Sequence, residues 1–128
     1  MKPDTRHMIA VVDDDPIVRE ATADLISSLG YTALAFDSAE QFLDSGQAEN
    51  TACLITDLHL PGISGFELQT QLRSEGYRMP IIFITGFPEA KVQARALAAG
   101  AVAFLAKPFE QVSLVNYLGI ALNDPSTC

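Results

Sequence analysis

Five short apolar runs recur along the chain, and a stretch with helix-spaced apolar residues follows each of them. The runs are MIAVV (8–12), YTALA (31–35), ACLIT (52–56), PIIFI (80–84) and VAFLA (102–106). An alternation of this kind leaves few folds open. Strands separated by helices must run parallel, because each crossover helix carries the chain back to the starting edge. The first, third and fourth runs are almost continuously apolar, as strands covered on both faces require. The weaker second and fifth suit the edges.

Helix signals fill the gaps. Val18, Ala21, Leu25 and Leu29 recur at helical spacing, with Pro16 in the first turn and Gly30 as a stop. The second helix opens at Ser38, with Gln41 three residues on to complete a capping box, and ends at Gly46. The third spans about 64–75, the fourth runs from near Pro88 to Gly100, and the fifth from about Phe109 to Leu122. These pairs use the 128 residues as one domain with an ordered core over about 7–123, and 48% hydrophobic content suffices for its interior.

Charge narrows the function. Sixteen acids against eight bases give a formal net charge of −8, so the chain is not expected to grip a phosphate backbone directly. No apolar run is long enough to cross a bilayer, and MKPDTRHM lacks the apolar segment of a secretory signal, which points to a cytoplasmic protein. Cys53 lies inside an apolar run and Cys128 ends the chain; neither has metal-ligand spacing, and they read as a core thiol and a free end.

In an open parallel sheet, ligands bind beyond the carboxyl ends of the strands. The first strand ends in Asp13 and Asp14, the third in Asp57, the fourth in Thr85 and the fifth in Lys107. Carboxylates converging from two strands make a hard-cation site, and so few protein ligands suit Mg²⁺, which keeps waters and shares a phosphate oxygen. A carboxylate beside the metal can attack phosphorus and form an aspartyl phosphate. Lys107 and the Thr85 hydroxyl would then meet phosphoryl oxygens. Taken singly, each residue has a plainer reading: Asp15 as a helix cap, Asp57 and Thr85 as turn formers, Lys107 as a surface charge, His59 as a loop histidine. Their convergence on one sheet edge favours the chemical reading.

The segments VVDDD, LITDLHLPGISG, FITG and FLAKPF, with spacings of 44, 28 and 22 residues from Asp13 to Asp57 to Thr85 to Lys107, resemble the receiver domain of bacterial two-component response regulators. The likeness spans essentially the whole chain. It implies a flavodoxin-like (βα)5 sheet of strand order 2-1-3-4-5 that takes a phosphoryl group from a sensor histidine kinase. By the same resemblance Asp57 is the phosphoacceptor. Asp13, Asp14 and Asp57 hold Mg²⁺ with the backbone carbonyl of His59, Thr85 and Lys107 meet the phosphoryl group, Phe104 is the aromatic that moves on activation, and the Lys107–Pro108 bond is cis. His59 and Phe87 stand where family members vary and where residues tune phosphoryl lifetime. TDLHLPGISG, ITG and AGAVAFLAKPF further resemble the FixJ-like branch, whose helix-turn-helix effector domain is not expected within these residues. Phosphatases and dehalogenases with an aspartate nucleophile resemble D-x-D-x-T at the first strand, which DDDPI fails at the last position.

Two helices show surplus apolar stripes. On the fifth, Val112, Val115, Leu118 and Leu122 are assigned to the core, leaving Leu114, Tyr117 and Ala121 outside. On the fourth, Val92, Ala96 and Ala99 face inward, leaving Ala90, Ala94, Leu97 and Ala98. With Phe104 between them, Ala94, Leu97, Leu114 and Tyr117 form an expected output surface that supports a phosphorylation-dependent homodimer.

Overall fold

The computed structural model describes residues 8–122. Their order is β1 (Met8–Val12), α1 (Pro16–Ser28), β2 (Thr32–Phe36), α2 (Ala39–Asp44), β3 (Cys53–Asp57), α3 (Gly65–Ser74), β4 (Ile81–Thr85), α4 (Ala90–Ala98), β5 (Ala103–Ala106) and α5 (Gln111–Leu122), with a single 3-10 turn at Ala48–Asn50. The strands form one parallel sheet in the order β2-β1-β3-β4-β5. This is the flavodoxin-like receiver architecture the sequence implied. Among the described residues no helix is long and apolar enough to cross a membrane.

Strand polarity follows the apolar pattern. β3 and β4 are buried throughout and β1 nearly so, whereas β2 is mostly exposed or half-buried and β5 alternates, as edge strands do. Alternating side chains feed two cores. Ala10, Val12, Leu54 and Phe83 pack with Phe42, Leu68, Leu72 and Ala96 of α2, α3 and α4. Ile9, Val11, Ile55, Ile82 and Ile84 pack with Ile26, Leu114 and Leu118 of α1 and α5 on the other face. Cys53 belongs to this second core, and burial pushes its thiol up to about 12; Cys128 lies outside the described residues.

β3 and β4 extend one residue beyond their apolar runs, taking Asp57 and Thr85 in as last residues. The backbone ladder explains this, because Asp57 pairs with Ile84 and Thr85 with Ala106 whatever their side chains. Asp15 caps α1 through Ile17 N–H (3.0 Å), with Pro16 as the first helical residue. At α2 the Ser38 hydroxyl accepts from Gln41 N–H (3.0 Å), but Gln41 reaches back to Asp37 N–H (2.8 Å), one residue before the cap. Ser64 and Glu67 make the full reciprocal box at α3.

On α5 the buried face differs from expectation, whereas α1 stands where its Pro16 and Gly30 signals put it. α1 buries Thr22 and Ile26 and packs Leu25 beside them, and Val18, Ala21, Thr22 and Leu25 line a groove of about 430 Å³ shared with Pro108 and Phe109. α5 buries Leu114 and Leu118 and packs Tyr117, Ala121 and Leu122 around them, while Val112 stands 60% exposed. Leu114 is therefore a core residue and leaves the expected output surface. The helix is apolar on nearly every side, so its pattern defines no single phase. α4 matches more closely: Ala96 is buried, Val92 packs beside it, and Ala90, Ala94, Leu97 and Ala98 face outward, although Ala99 is exposed as well. Leu114→Ala should cost about 2–5 kcal/mol in urea unfolding, against no more than about 0.5 kcal/mol for Val112→Ala, the ordering expected of a buried and an exposed position.

Candidate functional site

The carboxyl edge of β1, β3 and β5 brings together the acids and the lysine singled out above. Asp13 follows β1 directly, its N–H held by Phe36 O across the edge strand (3.1 Å). Its carboxyl is buried: Oδ1 accepts from Asp15 N–H (2.9 Å), and Oδ2 makes no hydrogen bond. Asp57 ends β3 and is 5% exposed; Oδ1 accepts from His59 N–H (2.9 Å) and Oδ2 from the Lys107 ammonium (2.6 Å). Lys107 also lies 3.1 Å from Asp13 Oδ2, close enough for charge attraction but misaligned for a hydrogen bond, and its poorer bond to Oδ1 is 3.4 Å long. Asp14 is exposed, yet it completes a group in which one oxygen from each of Asp13, Asp14 and Asp57 lies within 4.8 Å of the others.

Electrostatics follow from this crowding. Burial holds Asp13 above the ordinary carboxyl value of 3.8, Asp57 adds to the effect, and Asp15 N–H and Lys107 oppose it. Burial alone would lower the Lys107 ammonium, but its hydrogen bonds to Asp57 and Asp13 outweigh that and leave it above 10.5. The donors are all hard oxygens, Lys107 is the one ammonium among them, and a buried carboxylate oxygen has no hydrogen-bond partner. Such a set fits a small divalent cation such as Mg²⁺.

The remaining candidates sit around this pocket without all entering it. Thr85 is fully buried at the end of β4; its hydroxyl accepts from Phe87 N–H (3.0 Å) in its own turn, and its carbonyl accepts from Lys107 N–H (2.7 Å). His59 is exposed, and its ring meets that of Phe87 edge-to-face with centroids 5.9 Å apart. Phe104 is half-buried on β5 against Phe83, 5.6 Å between centroids. The Lys107–Pro108 peptide is cis.

Two contributors escaped the sequence reading. Arg19 donates to the carbonyl of Asp13 (2.9 Å), a contact no local pattern announces. Gly65 packs against the back of Asp57: a Cβ there would collide with the Asp57 carbonyl oxygen and stand 3.0 Å from Leu58 Cα. Its place beside the Ser64 cap was the available signal.

Residues 9–119 match the sequence profile of the response regulator receiver domain. The chain belongs to this family. It is 40% identical over 112 residues to nodulation protein W of Bradyrhizobium diazoefficiens, covering 88% of this chain and 49% of that protein. Among solved structures, response regulator StyR superposes with a TM-score of 0.86 at 39% identity, over 93% of this chain and 60% of that one. FixJ-N does so with a TM-score of 0.81 at 32% identity, over 96% of both. The likeness to FixJ-N supports a place in the FixJ-like branch. The receiver spans about half the length of the curated relatives it matches. Receiver domains are phosphorylation-activated signalling modules of two-component systems and bind Mg²⁺ at an acidic aspartate cluster, for which Asp13, Asp14 and Asp57 are the candidate here. Because the receiver's Gly65 leaves no room for a side chain behind Asp57, Gly65→Ala should lower stability by about 1–3 kcal/mol in denaturant unfolding.

Proposed function

We propose that Asp57 accepts a phosphoryl group from a phosphohistidine of a sensor histidine kinase and that the phosphorylated state controls an output domain or partner. The observation that supports this most is the setting of the Asp57 carboxylate, buried, held through Oδ1 by a backbone N–H and through Oδ2 by Lys107. In the transfer a carboxylate oxygen of Asp57 attacks phosphorus as the P–N bond breaks, and the electron pair leaves with the imidazole nitrogen. Lys107 then exchanges its bond to the carboxylate for one to a phosphoryl oxygen. The Thr85 hydroxyl gives up its turn contact with Phe87 N–H to donate to another. Asp13, Asp14, Asp57 and the backbone carbonyl of His59 would hold Mg²⁺, which when bound neutralises charge on the transferring group. Water attacking the same phosphorus regenerates the carboxylate and resets the module.

Phosphorylation adds roughly two negative charges and about three acceptor oxygens. It shifts the domain only as far as Thr85 and Lys107 bind the phosphoryl group better in the closed arrangement. With Leu114 in the core, the face left to read that change is Ala94 and Leu97 on α4, Phe104 on β5 and the edge of Tyr117 on α5. Leu97 is 41% exposed, and a symmetric dimer through this face fits its apolar character. Sedimentation of the phosphorylated chain should show a dimer that Leu97→Glu weakens; a monomer at high concentration would refute the interface.

The reading of Asp57 is tested by incubating the chain with Mg²⁺ and a small phosphodonor and weighing it. A stable gain of one phosphoryl group is expected for the wild type, and none for Asp57→Asn, whose amide fills the same volume without nucleophilicity. Turnover of the donor without an adduct would mark a phosphatase instead, and an unchanged donor and mass a binding module with a degenerate site.

A further inference from the structure

We propose that Glu40, in the first turn of α2, is a positioning residue for the phosphoryl-transfer site and acts through the loop between β3 and α3. The inference rests on the reading that the His59 carbonyl serves the metal beside Asp57. The ends of this loop are well tied. Leu58 N–H donates to Ile84 O (2.8 Å), His59 N–H to Asp57 Oδ1 (2.9 Å), Ser64 N–H to Glu67 Oε1 (2.9 Å) and Gly65 N–H to Leu58 O (2.9 Å). The middle is not. Among the described residues, the backbone of 60–63 makes one hydrogen bond, from Ile63 N–H to Glu40 Oε2 (3.1 Å) across 23 residues of sequence.

A second contact marks the same carboxylate. Gly62 has φ +75°, and a Cβ built on it would run into Glu40 Oε2, so the carboxylate lies directly against the loop backbone with no room for a side chain between them. Glu40 is itself well placed to serve as an anchor. It stands where helix N–H groups favour negative charge, between Ala39 and Phe42, which fix α2 in the core. Buried Leu60 seats the loop by its side chain but leaves its backbone untied. Glu40 thus links a helix with no chemical role to the stretch that follows His59.

Groups that orient metal ligands typically change affinity about 10- to 100-fold when removed, and Glu40 works at one further remove through a solvent-facing bond. Glu40→Ala should therefore raise the Mg²⁺ dissociation constant measured by calorimetry about three- to tenfold. It should also speed Ile63 amide exchange in the metal-free chain. Glu40→Gln, whose amide oxygen can accept the same bond, should keep both near wild type, and all three chains should take up one phosphoryl group at saturating Mg²⁺. An unchanged dissociation constant in the Ala variant, or a Gln variant as impaired as the Ala variant, would overturn the proposal. If the wild type itself takes up no phosphoryl group, the proposed function fails separately. The metal-free chain then still decides Glu40, because an Ala variant that leaves the His59 amide resonance in place removes its positioning role.

Discussion

Two buried carboxylates from neighbouring strands share a single ammonium, and the arrangement of the receiver follows from that crowding. Asp57 Oδ2 and Asp13 Oδ2 lie 2.6 and 3.1 Å from Lys107 Nζ. Negative charges this close in a buried setting raise one another's cost, and a lone lysine cannot align with both. Burial holds Asp13 above its ordinary value, and one of its carboxylate oxygens is left without a hydrogen bond. A site in this condition favours any group that brings positive charge to the acids or gives Lys107 a better partner. A divalent cation does the first and a phosphoryl group does the second.

Keeping such a cluster in place requires a stiff support, and the sheet supplies it. β3 and β4 are fully buried, with helices on both faces, so Asp57 and Thr85 leave the ladder from fixed backbone. Gly65 lets α3 close against the carbonyl of Asp57 itself. The groups that surround this platform are less constrained. α4 has no side-chain cap at its start and a single buried residue, Ala96, and Phe87 is 73% exposed. The rigid part holds Asp57, the carboxylate proposed to react, and the lightly held part lies where a change at Thr85 would first be felt.

Much of this was legible in the sequence for one reason: a parallel sheet gathers its strand ends on one edge, so a list of residues after each apolar run is already a list of neighbours. Asp13, Asp14, Asp57 and Lys107 met as that rule requires. The rule carries no side-chain direction, and Thr85, also at a strand end, spends its hydroxyl on its own turn. The face of α5 was misread because Val112, Leu114, Val115, Tyr117 and Leu118 leave few polar residues to mark the outside, and packing against β1, β3 and β4 chose the phase. Polar ties such as Arg19 to Asp13, six residues apart, and Glu40 to Ile63, across 23, join residues that no local pattern relates.

Which of the three carboxylates carries the phosphoryl group is decided by chemical trapping. Borohydride reduction of the phosphorylated chain converts an acyl phosphate to an alcohol at the modified residue, which peptide mass mapping then locates. A single reduced site is expected at Asp57, absent when the phosphodonor is omitted. Reduction at Asp13 or Asp14, or a phosphorylated chain with no reducible aspartate, would contradict it.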